Sequence, residues 1–244
     1  GALLSNWILP FPREAHPAIL WRKFAEQLAD KVNAPSSYSQ SLISGTLAWL
    51  LMMLPMLCVL WALETLVWQP QLFELAFLVL ALDWRNSDKF ANQFTHQLAE
   101  ENTQAAKQLL TPIVNRSTNT LSLLGLGKAG CETLIMSYGR NVIAVLFWYG
   151  LTGGIGAFMY RMAMELSRVW SPSRQQFLPF GLPATRILAL LDFIPLRLFA
   201  LMIIAGQRAR TRISLIRQQA LSWPLPGPAW LLAAAGAKLE LSLA

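Results

Sequence analysis

The chain is 244 residues long, 55% hydrophobic and only 14% charged, whereas soluble domains carry about a quarter charged residues. Its net charge of +7 comes with no nucleic-acid-binding module and no Ser-His-Asp or Cys-His nucleophile set. The two cysteines, Cys58 and Cys131, support neither a disulfide framework nor a zinc site.

The opening "GALLSNWIL" lacks the basic region of a signal peptide and reads as the end of a spanning helix or as an apolar terminus. Arg13, Arg22, Lys23 and Lys31 follow it. Residues 42–63, "LISGTLAWLLMMLPMLCVLWAL", carry no charge. That run is long enough to cross a hydrocarbon core as a helix, and a first span is placed at 42–68. Pro55 within it is tolerable in lipid and predicts a kink. A shorter apolar stretch lies at 71–82.

Residues 83–132 form a polar helical insertion. Phe90, Phe94 and Leu98, then Ala105 and Leu109, recur at three to four residues. The spacing predicts an amphipathic helix or helix pair outside the lipid, ended by Thr111-Pro112. The insertion holds "GLGKAG", residues 125–130, a complete G-x-G-x-x-G. A dinucleotide fingerprint needs a strand before it and an acidic residue about 20 positions on. Here membrane-like sequence follows, and Ser122 stands where a Walker A loop needs its first glycine. The motif therefore reads as a helix start with Thr118 or Thr120 near the cap.

A second span is placed at 141–160, "NVIAVLFWYGLTGGIGAFMY", in which Gly150 and Gly154 share a face and favour close helix packing. A third, at 186–206, contains Asp192, Pro195 and Arg197. Pro195 is expected to open the helix and free backbone carbonyls. Another short apolar stretch lies at 228–237. Arg161, Arg168 and Arg174 flank the second span. Arg208, Arg210, Arg212 and Arg217 follow the third and mark the cytoplasmic side as lipid contacts. The chain reads as an all-α, polytopic helical membrane protein: one membrane domain over 1–244, with about four to five membrane helices, a Pro-broken helix and an amphipathic cytoplasmic segment. Such continuous apolar runs lack the alternation of a β-barrel.

Five segments in order carry a family resemblance: "HPAILW" near the start, "VNRSTNTL", the helix from "CETLIMSYGRN" to "YRMAMELSRVW", "LLDFIPLRLFAL", and "WPLPGPAWLLAAAGAKLEL". Together they resemble the adenosylcobinamide-phosphate synthase family of cobalamin biosynthesis over nearly all of residues 7–240. The resemblance implies a multi-pass protein of the bacterial inner membrane. It also implies an ATP-dependent amide ligation of aminopropanol phosphate to adenosylcobyric acid, with Mg2+ as cofactor and the corrinoid as substrate.

Residue by residue, the family's His-Pro is matched by His16-Pro17, its Tyr-Arg by Tyr160-Arg161, and its Asp-x-x-Pro-x-Arg-Leu by Asp192, Pro195, Arg197 and Leu198. Of its Arg-Asp-Thr, Arg116 and Thr118 remain, with Ser117 between them. Its helix of carboxylates keeps Glu132 but has Met136, Ser137 and Arg140 further on, and Met164 and Ser167 replace an Asn and an Asp. The resemblance thus implies Glu132, Asp192 and His16 as catalytic residues, Glu132 and Asp192 as magnesium ligands, and Arg116, Arg161 and Arg197 as holders of anionic small-molecule substrates. Losing carboxylates and gaining Arg140 weakens magnesium binding. The Arg140 substitution and the Asp192-x-x-Pro195-x-Arg197-Leu198 signature are also typical of a sister group, the AmpE-like membrane modulators of β-lactamase induction, so a non-catalytic relative acting in binding or signalling is the alternative, while His16-Pro17 and the Trp-Pro C-terminal motif look more like the synthase branch. The lipid bilayer is the expected partner, membrane oligomerisation is left open, and nucleic acid is not expected.

From chemistry alone, Asp192 and Arg197 inside an apolar span need a partner or a cavity. Five residues apart on one helix, they need not pair with each other. Arg161, at the end of its span, holds an anion or reaches to the interface. Glu132 sits in a helix's early turns, where the dipole favours it, and His16 before a proline fixes a turn or serves as a base.

Overall fold

The computed structural model describes residues 17–33, 37–114, 120–205 and 226–239. Among them all regular secondary structure is helical. The elements are α1 (Pro17–Val32), α2 (Tyr38–Leu66), α3 (Pro70–Ala81), α4 (Trp84–Ala99), α5 (Thr103–Leu110), α6 (Leu123–Tyr138), a π-helical segment Gly139–Ala144, α7 (Val145–Val169), a 3-10 turn Gln175–Phe177, α8 (Leu182–Ile204) and α9 (Pro226–Leu239). Three helical runs are long and apolar enough to cross a membrane: Tyr38–Leu66, Leu123–Val169 and Leu182–Ile204. They overlap the runs at 42–68, 141–160 and 186–206. α3 and α9, with 12 and 14 residues, carry the shorter apolar stretches and fall below the roughly 20 residues of a spanning helix.

Exposure fits lipid rather than water as the solvent. On α2, Leu51 is 61% exposed and Trp61 68%. Only 17% of the most apolar window of α2 is buried inside the protein. A contiguous apolar face of that kind on a water-soluble monomer is rare.

The chain divides into two compact units. The first comprises Gly1–Leu82 and Val145–Leu191. Its core joins Ala25 and Ala29 of α1, Ala48 and Met53 of α2, and Phe158, Met162, Leu166 and Trp170. The alanines form a stripe on α1 that lets it lie close to α7. α3 packs extensively along α7. At the contact Gly153 has φ 70° and ψ −165°, so α7 is broken there, a conformation glycine adopts without steric cost. A Cβ on the next residue, Gly154, would collide with the backbone carbonyl of Glu74, whereas Gly150 has nothing within 4 Å. The expected packing pair therefore reduces to Gly154 alone.

Pro195 does not split α8, which runs unbroken from Leu182 to Ile204. A proline still leaves the carbonyl four residues earlier without its helical donor. That carbonyl is Leu191, and the indole Nε1–H of Trp148 donates to it at 3.3 Å. The freed carbonyl is thus satisfied from another helix, as buried backbone groups require.

The second unit comprises Asp83–Ala144 and Asp192–Ala244. The polar insertion begins as a helix pair. α4 ends at Ala99, Glu101 adopts a positive φ of 55°, and the Asn102 side chain accepts a hydrogen bond from Ala105 N–H at 3.1 Å to cap α5. Thr111 is the C-cap, where Thr111-Pro112 places the end. Phe94, Ala106, Leu110, Leu126 and Ala129 form its core, so the innermost positions of α5 are Ala106 and Leu110 rather than Ala105 and Leu109. "GLGKAG" lies within the first turns of α6. Its cap is Ser122, whose hydroxyl accepts from Gly125 N–H at 3.2 Å, in place of the threonines expected upstream. A Cβ on Gly130 would enter the Phe94 ring. The motif's last glycine therefore serves helix contact.

Candidate functional site

Among the described residues, each unit holds a buried ionic cluster. In the second unit the cluster is built on the π-helical segment. A π turn inserts one extra residue and re-aims side chains, often at functional positions. Gly139 opens the segment, where a Cβ would stand 2.9 Å from both Leu196 of α8 and Leu231 of α9. This close approach brings Arg140 to Asp192, one helical turn before Leu196. Arg140 Nε donates to Asp192 Oδ2 at 2.8 Å, with the aspartate side chain fully buried and the arginine 28% exposed. The buried ion expected in this span is therefore paired, and with another helix rather than with Arg197.

Beside this pair lies a neutral network. Asn141 Nδ2 donates to Ser137 Oγ at 2.9 Å and to Ser87 Oγ at 3.3 Å, and the two hydroxyls are 2.7 Å apart. It ties α4 to the π segment. Arg197 takes a different role: its guanidinium lies 3.7 Å from the Phe193 ring centroid and 5.1 Å from that of Trp230. Such stacking holds a guanidinium flat against aromatic faces. Its Nε is buried with no hydrogen-bond partner among the described residues.

In the first unit the cluster centres on Glu165, which is fully buried. Arg22 Nε of α1 donates to Oε2 at 2.7 Å, Arg161 Nη2 lies 3.0 Å from Oε1, and Arg168 Nη1 lies 3.7 Å from Oε1. Arg161 is only 3% exposed, while Arg22 and Arg168 are 44% and 47% exposed. Two tryptophans fix the register of α1 on α7. Trp21 Nε1 donates to the Met162 carbonyl at 3.2 Å, and Trp170 Nε1 donates to the Ala25 carbonyl at 3.0 Å. Arg174 closes the end of α7 by donating to the carbonyls of Arg168 and Val169.

Of the residues singled out from the sequence, Arg161 and Asp192 lie in these clusters and Arg197 in the aromatic stack with Phe193 and Trp230. Glu132 is half-buried on α6, two turns before Arg140. His16 and Arg116 lie outside the described residues. Among the described residues no group of three or more His, Cys, Asp or Glu side chains is placed to hold a metal ion. Sequence reasoning missed Glu165 and Arg22. Glu165 has arginines at i−4 and i+3, a helical pairing signal; Arg22, 143 residues away, offers no local one.

This architecture defines a class: a polytopic helical membrane protein whose buried charges are held in arginine–carboxylate clusters. The model of the CobD/Cbib protein family matches residues 1–244, and the chain belongs to that family. A "Cobalamin biosynthesis protein CobD" of Stutzerimonas stutzeri is 30% identical over 243 residues, covering 100% of this chain and 80% of the relative. The protein of the same name from Chromobacterium violaceum is 30% identical over 246 residues, covering 99% and 79%. That of Rhizobium meliloti is 23% identical over 267 residues, covering 100% and 80%. No solved structure matches the chain.

Proposed function

We propose that this protein acts in cobalamin biosynthesis in the bacterial inner membrane, joining aminopropanol phosphate to adenosylcobyric acid in an ATP-dependent amide ligation. The observation that carries the reading is the family match over the whole of residues 1–244. All three reactants of that ligation are anionic or carry phosphate, and the chain's buried clusters are rich in arginine. In this reading the corrinoid carboxylate takes the γ-phosphoryl group of ATP, releasing ADP and forming an acyl phosphate, and the amine of aminopropanol phosphate then attacks the acyl carbon, expelling inorganic phosphate and a proton as the amide forms. Catalysis rests on positioning and on charge stabilisation.

Arg197, held flat by Phe193 and Trp230, and Arg116 take anionic groups. Arg161, at 3% exposure, pairs with Glu165 within the first unit. The Arg140–Asp192 pair orients the π segment, and Glu132 and His16 stand as acid–base candidates. The magnesium of such a reaction arrives with the nucleotide, carried by its phosphates and by water.

The test is direct. The full chain in detergent is given adenosylcobyric acid, aminopropanol phosphate, ATP and magnesium, and the amide product is sought by mass spectrometry. Turnover is expected. No product beside an active family member rejects the ligase and leaves the second reading, a non-catalytic relative. That second reading is favoured by the guanidinium of Arg140, which sits against Asp192 at 2.8 Å.

A further inference from the structure

A groove of about 490 Å³ runs along the first unit between α2, α7 and the first half of α8. Its α2 wall is Trp49, Met53, Leu57, Trp61 and Glu64, spaced at three to four residues on one helical face. From Trp49 to Glu64 that wall is about 22 Å long. A Cβ on Gly45 would meet the backbone carbonyl of Phe180, beyond the end of α7. The two helices therefore run antiparallel, and the Glu64 end of α2 lies beside the start of α7, where Trp148 and Thr152 line the same groove. Leu57 and Trp61 are 39% and 68% exposed, so the groove opens toward lipid.

Among the described residues, Glu64 is the one charged side chain that lines the groove. It is half-buried, and its carboxylate has no ion pair or hydrogen bond among the described residues. A carboxylate at the edge of an apolar span calls for a partner. The surrounding sequence supplies no cation: from residue 32 to 82 the only charged residues are Glu64 and Glu74, and residues 145–160 carry none. Glu74 adds charge of the same sign. A Cβ on Gly153, next to Thr152 of the groove, would stand 3.2 Å from its carboxylate oxygen. Trp61 and Trp148 bring aromatic rings to this end, and Trp148 is fixed there by its hydrogen bond to Leu191. A carboxylate beside aromatic rings favours an ammonium group and repels an anionic one.

The volume decides the shape of the occupant. A helix from a second copy, about 10 Å across with its side chains, would fill roughly 1,700 Å³ over the same length. A single acyl chain is far narrower, and the groove is longer than the half-thickness of a hydrocarbon core about 30 Å thick. We infer that this groove binds one phosphatidylethanolamine molecule, with an acyl chain along Trp49, Met53 and Leu57 and the ammonium on Glu64 against Trp61. The primary ammonium supplies the hydrogen-bond donors that the carboxylate lacks. The reactants of the proposed ligation are anionic or carry phosphate, so this site stands apart from that reading.

The full chain, delipidated in an uncharged maltoside detergent, is titrated separately with phosphatidylethanolamine, phosphatidylcholine and phosphatidylglycerol, and bound lipid is counted by native mass spectrometry. One saturable phosphatidylethanolamine is expected, bound about tenfold more tightly than either other lipid, the scale of one charge-assisted hydrogen bond. Phosphatidylcholine keeps the positive charge but has no N–H, so it isolates the hydrogen bond to Glu64. Glu64→Gln should bring phosphatidylethanolamine down to the level of phosphatidylcholine, and Glu64→Asp should keep part of the preference. Leu57→Trp should weaken all three lipids by filling the groove. Lys89→Gln, an exposed change in the second unit, should leave binding unchanged.

Thermal melts identify any variant that fails to fold, and the comparison of the three lipids on the wild-type chain needs no variant. The inference is overturned if phosphatidylethanolamine binds no more tightly than phosphatidylcholine or phosphatidylglycerol, or if Glu64→Gln keeps the wild-type preference. Unchanged binding in Leu57→Trp would put the lipid elsewhere and overturn it as well. A chain that selects phosphatidylethanolamine but forms no amide product sinks only the ligase reading, and turnover without lipid selection sinks only this site.

Discussion

Replacing Glu165 by Gln removes the carboxylate around which three arginines are arranged. The side chain keeps its shape, so the loss is electrostatic. Arg161, 3% exposed, stays buried with its Glu165 partner gone. Breaking a buried ion pair from one side typically costs about 3–5 kcal/mol. Arg22 and Arg168, nearly half exposed, are screened by solvent and add only about 0–1 kcal/mol each. For a chain of this size 1 kcal/mol moves the melting temperature by about 2–4 °C, so a fall of roughly 6–28 °C is expected in a detergent thermal melt. The double variant Glu165→Gln with Arg161→Met removes both buried charges. It should recover most of the loss, because replacing a whole buried pair by neutral groups is often close to neutral. A Glu165→Gln melt within a degree or two of wild type would refute the reasoning. So would a double variant no more stable than the sum of the single changes.

Other expectations follow from the helix contacts. Trp148→Phe leaves the Leu191 carbonyl without its donor and should cost about 1–3 kcal/mol; Pro195→Leu, which restores the helical N–H, should rescue it in the same melt. Gly154→Ala drives a methyl into the Glu74 backbone and should destabilise by about 1–3 kcal/mol, while Gly150→Ala, with open space around it, should be neutral or stabilising. The same contrast applies to "GLGKAG". Gly127→Ala should be tolerated or gain up to about 1 kcal/mol of helix propensity, and Gly130→Ala should clash with Phe94 and lower the melting temperature. Equal sensitivity at both glycines would point back to a backbone–ligand role for the motif. Cys58 is exposed on α2; in a Cys131→Ser background hydrocarbon should suppress its thiolate, so that it resists both permeant and impermeant maleimides in intact vesicles and reacts once the protein is unfolded in sodium dodecyl sulfate. Rapid labelling by both reagents would contradict lipid as its solvent.

Signals carried by neighbours along the chain were legible before any fold was known. Long apolar runs marked the three segments that the spanning helices overlap, a 3.6-residue apolar repeat placed the pair α4 and α5, and Thr111-Pro112 placed their end. Pro195 announced a freed carbonyl at Leu191, because that loss belongs to the proline itself. Tertiary structure alone decided who answers it: Trp148, 43 residues away. It decided that Asp192 meets Arg140 across 52 residues and that Glu165 meets Arg22 across 143. It also decided that Gly154 and not Gly150 takes the close contact. The physical reason is the same in each case. Hydropathy and helix propensity act on neighbours along the chain, whereas the partner of a buried charge or an orphaned carbonyl is chosen by which faces pack together, and that choice leaves no local periodicity to read.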